Sequence, residues 1–413
     1  VAGKPGILCA YSDEGALVNG ESIEPVFKPD FNLDLMRAYP YVGRALAFER
    51  ERFMTVGGFD PAHGELAPHD LLWRLVEEAG PQTIEHIAEI QVESSLSFAQ
   101  WLSKPEVIEG NAAMVGAHLD RIGAVHEIRQ DTLPLINRID YRHGSRPLVS
   151  IILRTGHSLA ALQRCTESLI ERTAYTHYEI LIVDSGVRDL AMLDWLANMA
   201  QLGANMLRVL RYAGDDSDAA VHNFAAGQAR GEYLLLLSPQ TVICENDWLD
   251  ELINHAQRPE VAVVGARILS PQGTIVGGGQ VLGLAGPVGT PFYGESAASR
   301  GYMQRLHTTQ NWSAVSGDCL MVRKQVFEDL GCLDDATFTL GLSDVDLCLR
   351  AGKDGYLVVW TPYASVMQVV APRSSSDQSE ETTLLERERE IFYRNWLPQI
   401  ARDPAYSPSL TLG

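Results

Sequence analysis

Between residues 148 and 237 the chain alternates strand-length apolar runs with amphipathic stretches, and this rhythm constrains its fold more than any other feature. Residues 148–153, 178–183, 206–212 and 233–237 read as strands. Leu159, Leu162, Leu169 and Ile170 recur at helical spacing behind Ser158, a residue suited to cap a helix. Further helices are expected over 189–199 and from about 216. Strands alternating with helices imply a parallel sheet covered on both faces, and such sheets bind ligands at the carboxyl ends of their strands. Asp184, closing the second strand, and residues 238–241, after a later one, therefore share one rim. Beyond 260 the pattern loosens into a strand over 261–269 and a glycine-rich stretch, Gly277-Gly278-Gly279 through Gly289. The stretch lacks the strand-to-helix turn of a phosphate loop, and a mobile hairpin is expected there.

At 413 residues the chain suits two domains, and the polar, Gly/Pro-punctuated stretch 140–147 marks the clearest boundary. Three segments are expected: 1–140, 147–372 and a helical then extended tail over 373–413. In that tail Leu385, Arg389, Phe392 and Trp396 stand at helical spacing, and the tail is expected to pack over the acceptor side. A net charge of -20 argues against a nucleic-acid surface. No apolar run approaches bilayer length, so no transmembrane segment is expected. Asp13 and Glu14 stand where a signal peptide would be apolar, and the start at Val1 rather than Met suggests either an engineered start or a piece of a longer polypeptide. Six scattered cysteines without a C-x-x-C pair read as free thiols.

The chain also carries an internal echo. Gly57-Gly58-Phe59-Asp60 followed by Asp70-Leu71-Leu72-Trp73-Arg74 parallels Gly331-Cys332-Leu333-Asp334 followed by Asp346-Leu347-Cys348-Leu349-Arg350. Each copy runs into a short strand, 86–90 and 356–360. The first region thus reads as the rear half of the fold that follows it.

Several motifs carry a resemblance. They are Val149-Ser150-Ile151-Ile152 with Thr155, Ile182-Val183-Asp184-Ser185-Gly186, and Asn223-Phe224-Ala225-Ala226 running into Arg230-Gly231-Glu232-Tyr233. Further on come Ser316-Gly317-Asp318-Cys319 and Ser343-Asp344-Val345-Asp346. Together they resemble bacterial family 2 glycosyltransferases of the GT-A fold, of the tandem-domain, rhamnosyltransferase-like kind that builds O-antigen or flagellin glycans. The resemblance implies an α/β GT-A domain with a mixed sheet, preceded by a partial GT-A-like α/β region. It implies a nucleotide-diphosphate sugar as donor and a glycan or glycoprotein as acceptor. A cytoplasmic setting, peripheral to the inner face of the membrane, goes with it.

The same resemblance assigns residues. Thr155 and Asp184 fall where relatives hold the donor base and ribose, although Asp-Ser-Gly also suits a turn. Asn223 and Arg230 fall near the donor phosphates. Asp344 matches the general base of an inverting transfer, and a first-turn acid also suits a helix dipole. Trp312 and Asp346 fall on the acceptor side, with a core tryptophan as the alternative for Trp312.

The departures cluster where relatives bind magnesium or manganese. Ser238-Pro239-Gln240 replaces the acidic metal motif, and Val366-Met367-Gln368 stands where a metal-binding histidine is expected. Neutral side chains are poor ligands for hard divalent cations, so the family's metal is expected to be lost. His157 stands where relatives have Asn or Asp beside the donor. The first region is eroded too: Tyr11-Ser12-Asp13-Glu14 keeps part of an acidic strand-end motif, Pro68 takes the base position and Glu93 the second ligand position. Two expectations follow. One is a metal-independent transferase with Arg211, Arg230 or Arg373 at the diphosphate, and the other is an inactive pseudo-transferase that binds or scaffolds.

Overall fold

The computed structural model describes residues 4–412 apart from 20, 131–132, 157, 203–205, 215–216 and 370–377, so His157, Arg373 and the start of a helix near 216 lie outside the described residues. The chain divides into two compact units: Val1–Arg142 with Tyr302–Asn311 and Arg402–Gly413, and His143–Gly301 with Trp312–Ala401. This division cuts across the expected tail. Its helix, Gln378–Ala401, belongs with the second unit, while the chain after it belongs with the first. The short return Tyr302–Asn311 also joins the first unit. The buried Arg305 guanidinium explains the company it keeps, donating to the Ala405 carbonyl at 2.8 Å.

The second unit is built on one mixed sheet. Its strands lie side by side in the order Leu207–Arg211, Tyr178–Asp184, Val149–Arg154, Tyr233–Leu237, Cys319–Arg323, Val261–Leu269, Leu357–Gln368 and Thr241–Ile243. The first four are parallel, as the alternation predicts. Cys319–Arg323 runs antiparallel to both neighbours, so it begins beside the carboxyl end of Tyr233–Leu237. The Ser238 N–H therefore meets the Asp318 carbonyl at 2.9 Å. That reversal adds residues 316–318 to the rim where the parallel strands end.

Local chemistry sets the flanking helices. Ser158 Oγ accepts from Ala161 N and opens Leu159–Arg172, which buries Leu162, Cys165 and Leu169 while Ile170 points to solvent. The glycine-rich stretch forms a hairpin, Gly279–Leu282 against Val288–Gly289. Gly279 lies against the Trp312 ring and leaves no room for a Cβ there.

The first unit reproduces the rear of this architecture strand for strand. Cys9–Val18 pairs antiparallel with Glu21–Val26 and Leu46–Phe48, and parallel with Ile84–Ser94. Val261–Leu269 likewise pairs antiparallel with Ile275–Gly277 and Cys319–Arg323, and parallel with Leu357–Gln368. The registers agree. Cys9 faces Phe48 and Ile84, as Val263 faces Val322 and Val358, and both parallel pairs then slip at a bulge.

The echoed motif builds the same clamp in each unit. Arg74 Nε bonds Asp70 at 2.9 Å while its other nitrogens hold the Val56 and Gly58 carbonyls. Arg350 Nε bonds Asp346 at 2.7 Å and holds the Leu330 and Cys332 carbonyls. A planar guanidinium alone offers this fork of donors, with one side to an acid at i−4 and the other to a turn.

This correspondence corrects one reading. Asp13 and Glu14 lie inside the counterpart of Val261–Leu269, away from any counterpart of the 238–240 position. Glu14 pairs with the fully buried Lys28 at 2.9 Å and with Arg44. Asp13 accepts from His86 at 2.9 Å, and His86 also meets Asp30, itself paired with Arg402.

Burial opposes a charge on His86, but Asp13 and Asp30 outweigh it and the imidazole pKa is raised. A group whose pKa is raised by folding stabilises fully below its unfolded value, and the effect is lost as pH rises through the folded value. The urea midpoint of the first unit should therefore fall as pH is raised from about 6 through the raised His86 value. His86→Gln should flatten that limb when strand amides of residues 9–18 are followed by hydrogen exchange.

Candidate functional site

The rim of the second unit opens into a cavity of about 850 Å³. Three stretches expected to meet do meet there: Ser185 and Gly186, residues 238–240, and Asp344. Thr155 joins them, its Oγ1 donating to the Val183 carbonyl at 3.0 Å.

Asp344 sits in the first turn of Ser343–Lys353. Its Oδ2 accepts from Gly317 N at 2.6 Å and its Oδ1 from Val345 N at 2.9 Å. Burial raises the pKa of this carboxyl, the two N–H groups lower it, and Asp318 raises it further, for a net rise. Gly317 has to be glycine for this approach: a Cβ would lie 2.9 Å from Asp344 Oδ2.

The cavity wall beside Asp344 is fixed from outside. Glu388, buried on Gln378–Ala401, accepts from Thr339 N at 2.6 Å, Leu340 N at 3.0 Å and Gly341 N at 3.2 Å. Three successive N–H groups converging on one carboxylate hold the 339–341 loop in a single shape.

Asp318 is the carboxylate that sequence reasoning left without a role. Burial is the largest influence and raises its pKa, while Ser316, Gln368 and Ser238 hydrogen-bond to it. Ser238 and Gln368 are the residues at the expected metal positions, and both spend their polar groups on this acid. One carboxylate accompanied by a hydroxyl and an amide, with no second acid or histidine beside it, is a poor donor set for a hard divalent cation. Among the described residues no group of three or more His, Cys, Asp or Glu side chains could hold a metal ion.

Several expected residues lie elsewhere. Asp184 is buried beneath the rim, its Oδ1 accepting from Gly186 N and Val187 N in a turn. Asn223 is not part of the cavity lining and ties both backbone groups of Leu333. Arg230 precedes the Tyr233–Leu237 strand, and its N–H meets Glu179 near the start of Tyr178–Asp184. It therefore stands at the opposite end of the sheet from the rim and cannot reach a diphosphate there. Trp312 is buried against Gly279, a core residue with no face left for a sugar. Asp346 accepts from Arg350 and Trp396 Nε1 and borders a separate hollow. Arg211 is exposed at the end of its strand, outside the cavity lining.

The guanidiniums that do line the cavity are Arg154 and Arg188. Arg154 is paired with Asp218, whereas Arg188 has no ion pair among the described residues. Four carboxylates, Asp189, Asp218, Asp318 and Asp344, share the lining with them.

Gly317→Ala should press Asp344 off its N–H groups at a cost of roughly 1–3 kcal/mol, seen as a lower Tm. Glu388→Ala should speed amide exchange across 339–341 while leaving exchange in the 149–154 strand unchanged.

Residues 150–331 match the family described as Glycosyl transferase family 2. The chain is 32% identical over 99% of its length to the protein y4gI of Sinorhizobium fredii and to the O-antigen biosynthesis protein RfbC of Myxococcus xanthus. It spans 46% and 32% of those two proteins. A shorter match, 29% identical over 35% of the chain and 49% of the relative, is to an N-acetylglucosaminyl-diphospho-decaprenol L-rhamnosyltransferase of Mycobacterium tuberculosis. The crystal structure of GalNAc-T7 with UDP, GalNAc and Mn2+ superposes with a TM-score of 0.52 at 16% identity, covering 67% of this chain and 53% of that one, a likeness of fold. The chain thus carries a family 2 glycosyltransferase domain with the GT-A fold.

Proposed function

We propose that the second unit transfers a sugar from a nucleotide-diphosphate donor to a glycan or glycoprotein hydroxyl, with inversion and without a divalent cation. The supporting observation is Asp344, a carboxylate clamped by two N–H groups on the wall of the rim cavity. In this reading the acceptor oxygen attacks the anomeric carbon and gives its proton to an Asp344 oxygen. The bond from that carbon to the diphosphate oxygen breaks, and the nucleoside diphosphate leaves with the electron pair. Arg188 is the cation available to meet the leaving charge, since guanidinium binds phosphate oxygens through paired hydrogen bonds. Thr155, Ser238 and Gln240 line the donor side. Rhamnose as the donor sugar, and surface polysaccharide as the setting, rest on the named relatives alone; flagellin as the setting rests on the motif resemblance.

A second reading, an inactive pseudo-transferase, is favoured by the charge of the lining. Four carboxylates face two guanidiniums, one of them already paired, and a diphosphate entering there meets a net acidic wall. Lost cation stabilisation ordinarily removes several kcal/mol from a transition state.

Calorimetry with UDP and dTDP in EDTA separates the two readings: the first expects binding that Arg188→Ala weakens, the second none. With activity in hand, Asp344→Asn should lower kcat/KM by roughly 100- to 10,000-fold. The acid limb of the pH–rate profile should lie above the ordinary aspartate range, since the Asp344 pKa is raised.

A further inference from the structure

The two copies of the rear half differ in what covers them. In the second unit, the Cys319–Arg323 strand pairs on its far side with Tyr233–Leu237, and Met321 is 0% exposed. Phe327, on the following helix, is also 0% exposed, and Leu333 is 4% exposed. Asn223, from Asp218–Gln228, accepts from Leu333 N at 3.0 Å and donates to Leu333 O at 2.9 Å. One helix and one strand therefore cover this face.

In the first unit the counterparts are bare. Leu46–Phe48 pairs with Cys9–Val18 alone among the described residues, so its other edge is open, and Ala47, in the place of Met321, is exposed. Phe53, in the place of Phe327, is half-buried, and Phe59, in the place of Leu333, is 48% exposed. Neither backbone group of Phe59 has a hydrogen-bond partner among the described residues. Phe59 packs edge to face against both Phe48 and Phe53, its centroid 5.0 Å from that of Phe53, and the three rings form an apolar patch beside the open edge. An open strand edge next to exposed aromatics is a pairing surface.

We propose that this face is the docking surface for a helix–strand segment of the same polypeptide outside these 413 residues. The strand adds antiparallel to Leu46–Phe48, the helix seats its apolar side on Phe53 and Phe59, and a side-chain amide from that helix takes the Phe59 backbone groups as Asn223 takes those of Leu333. The occupant's kind is set by the second unit, where such a segment lies on the matching face. Its source is supported by the relatives, which run well beyond the stretch matched here.

The test compares this chain with the full product of its natural reading frame by hydrogen exchange. In the longer product, amides of residues 46–48 and 59 should exchange roughly 100-fold or more slowly than in this chain. Phe59→Asp should abolish that protection in the longer product while leaving exchange at 9–12 in the shorter chain unchanged. Equal exchange in the two products, protection that survives Phe59→Asp, or a reading frame with nothing beyond these residues would overturn the proposal.

Discussion

The hydrogen bond from Gly317 N to Asp344 is the contact on which the site depends. It exists because one strand of an otherwise parallel neighbourhood runs backwards. Cys319–Arg323 starts at the rim, so the residues before it reach across to the helix that carries Asp344. A side chain at 317 would push the acid away. From the other side, Glu388 locks the 339–341 loop to Gln378–Ala401. The acid is thus positioned by a sheet reversal on one flank and a buried carboxylate on the other, and neither device involves a metal ion.

Where relatives are expected to hold a cation, Ser238 and Gln368 hydrogen-bond to Asp318. The replacement is internally consistent. A buried carboxylate with no cation beside it needs donors, and a hydroxyl and an amide supply them at less electrostatic cost than a second acid would impose. The Asp318 carboxylate is held by hydrogen bonds, and Arg188, in the same lining, has no ion pair among the described residues.

Much of this was legible along the chain, and the failures have physical reasons. The strands at 149–154, 178–184 and 233–237 are readable because burial on both faces leaves solid apolar runs, and the rim position of residues 184–186 and 238–240 follows from where two of those runs end, whereas Asp344 was placed by the motif resemblance alone. Arg230 was misplaced because nearness to Asn223 in sequence says nothing about which end of the sheet a turn occupies. Trp312 and Asn223 have types that serve a site or a core equally well, and only their partners, Gly279 and Leu333, decide. Asp318 was missed since the direction of the strand after it cannot be read from a five-residue apolar run. The Asp–Arg echo was readable, and its meaning is mechanical: each guanidinium ties a helix to the turn before it.

In the proposed function the rim cavity accepts the diphosphate of an activated sugar although Ser238, Gln240 and Gln368, at the family's metal positions, are neutral. A crystal of the chain soaked with UDP or dTDP in the presence of EDTA tests it most directly. The expected result is density in the cavity, with the diphosphate against Arg188 and the open end of the pocket facing Asp344. A pocket left empty at saturating nucleotide, or a diphosphate ordered only when manganese is added, would contradict it.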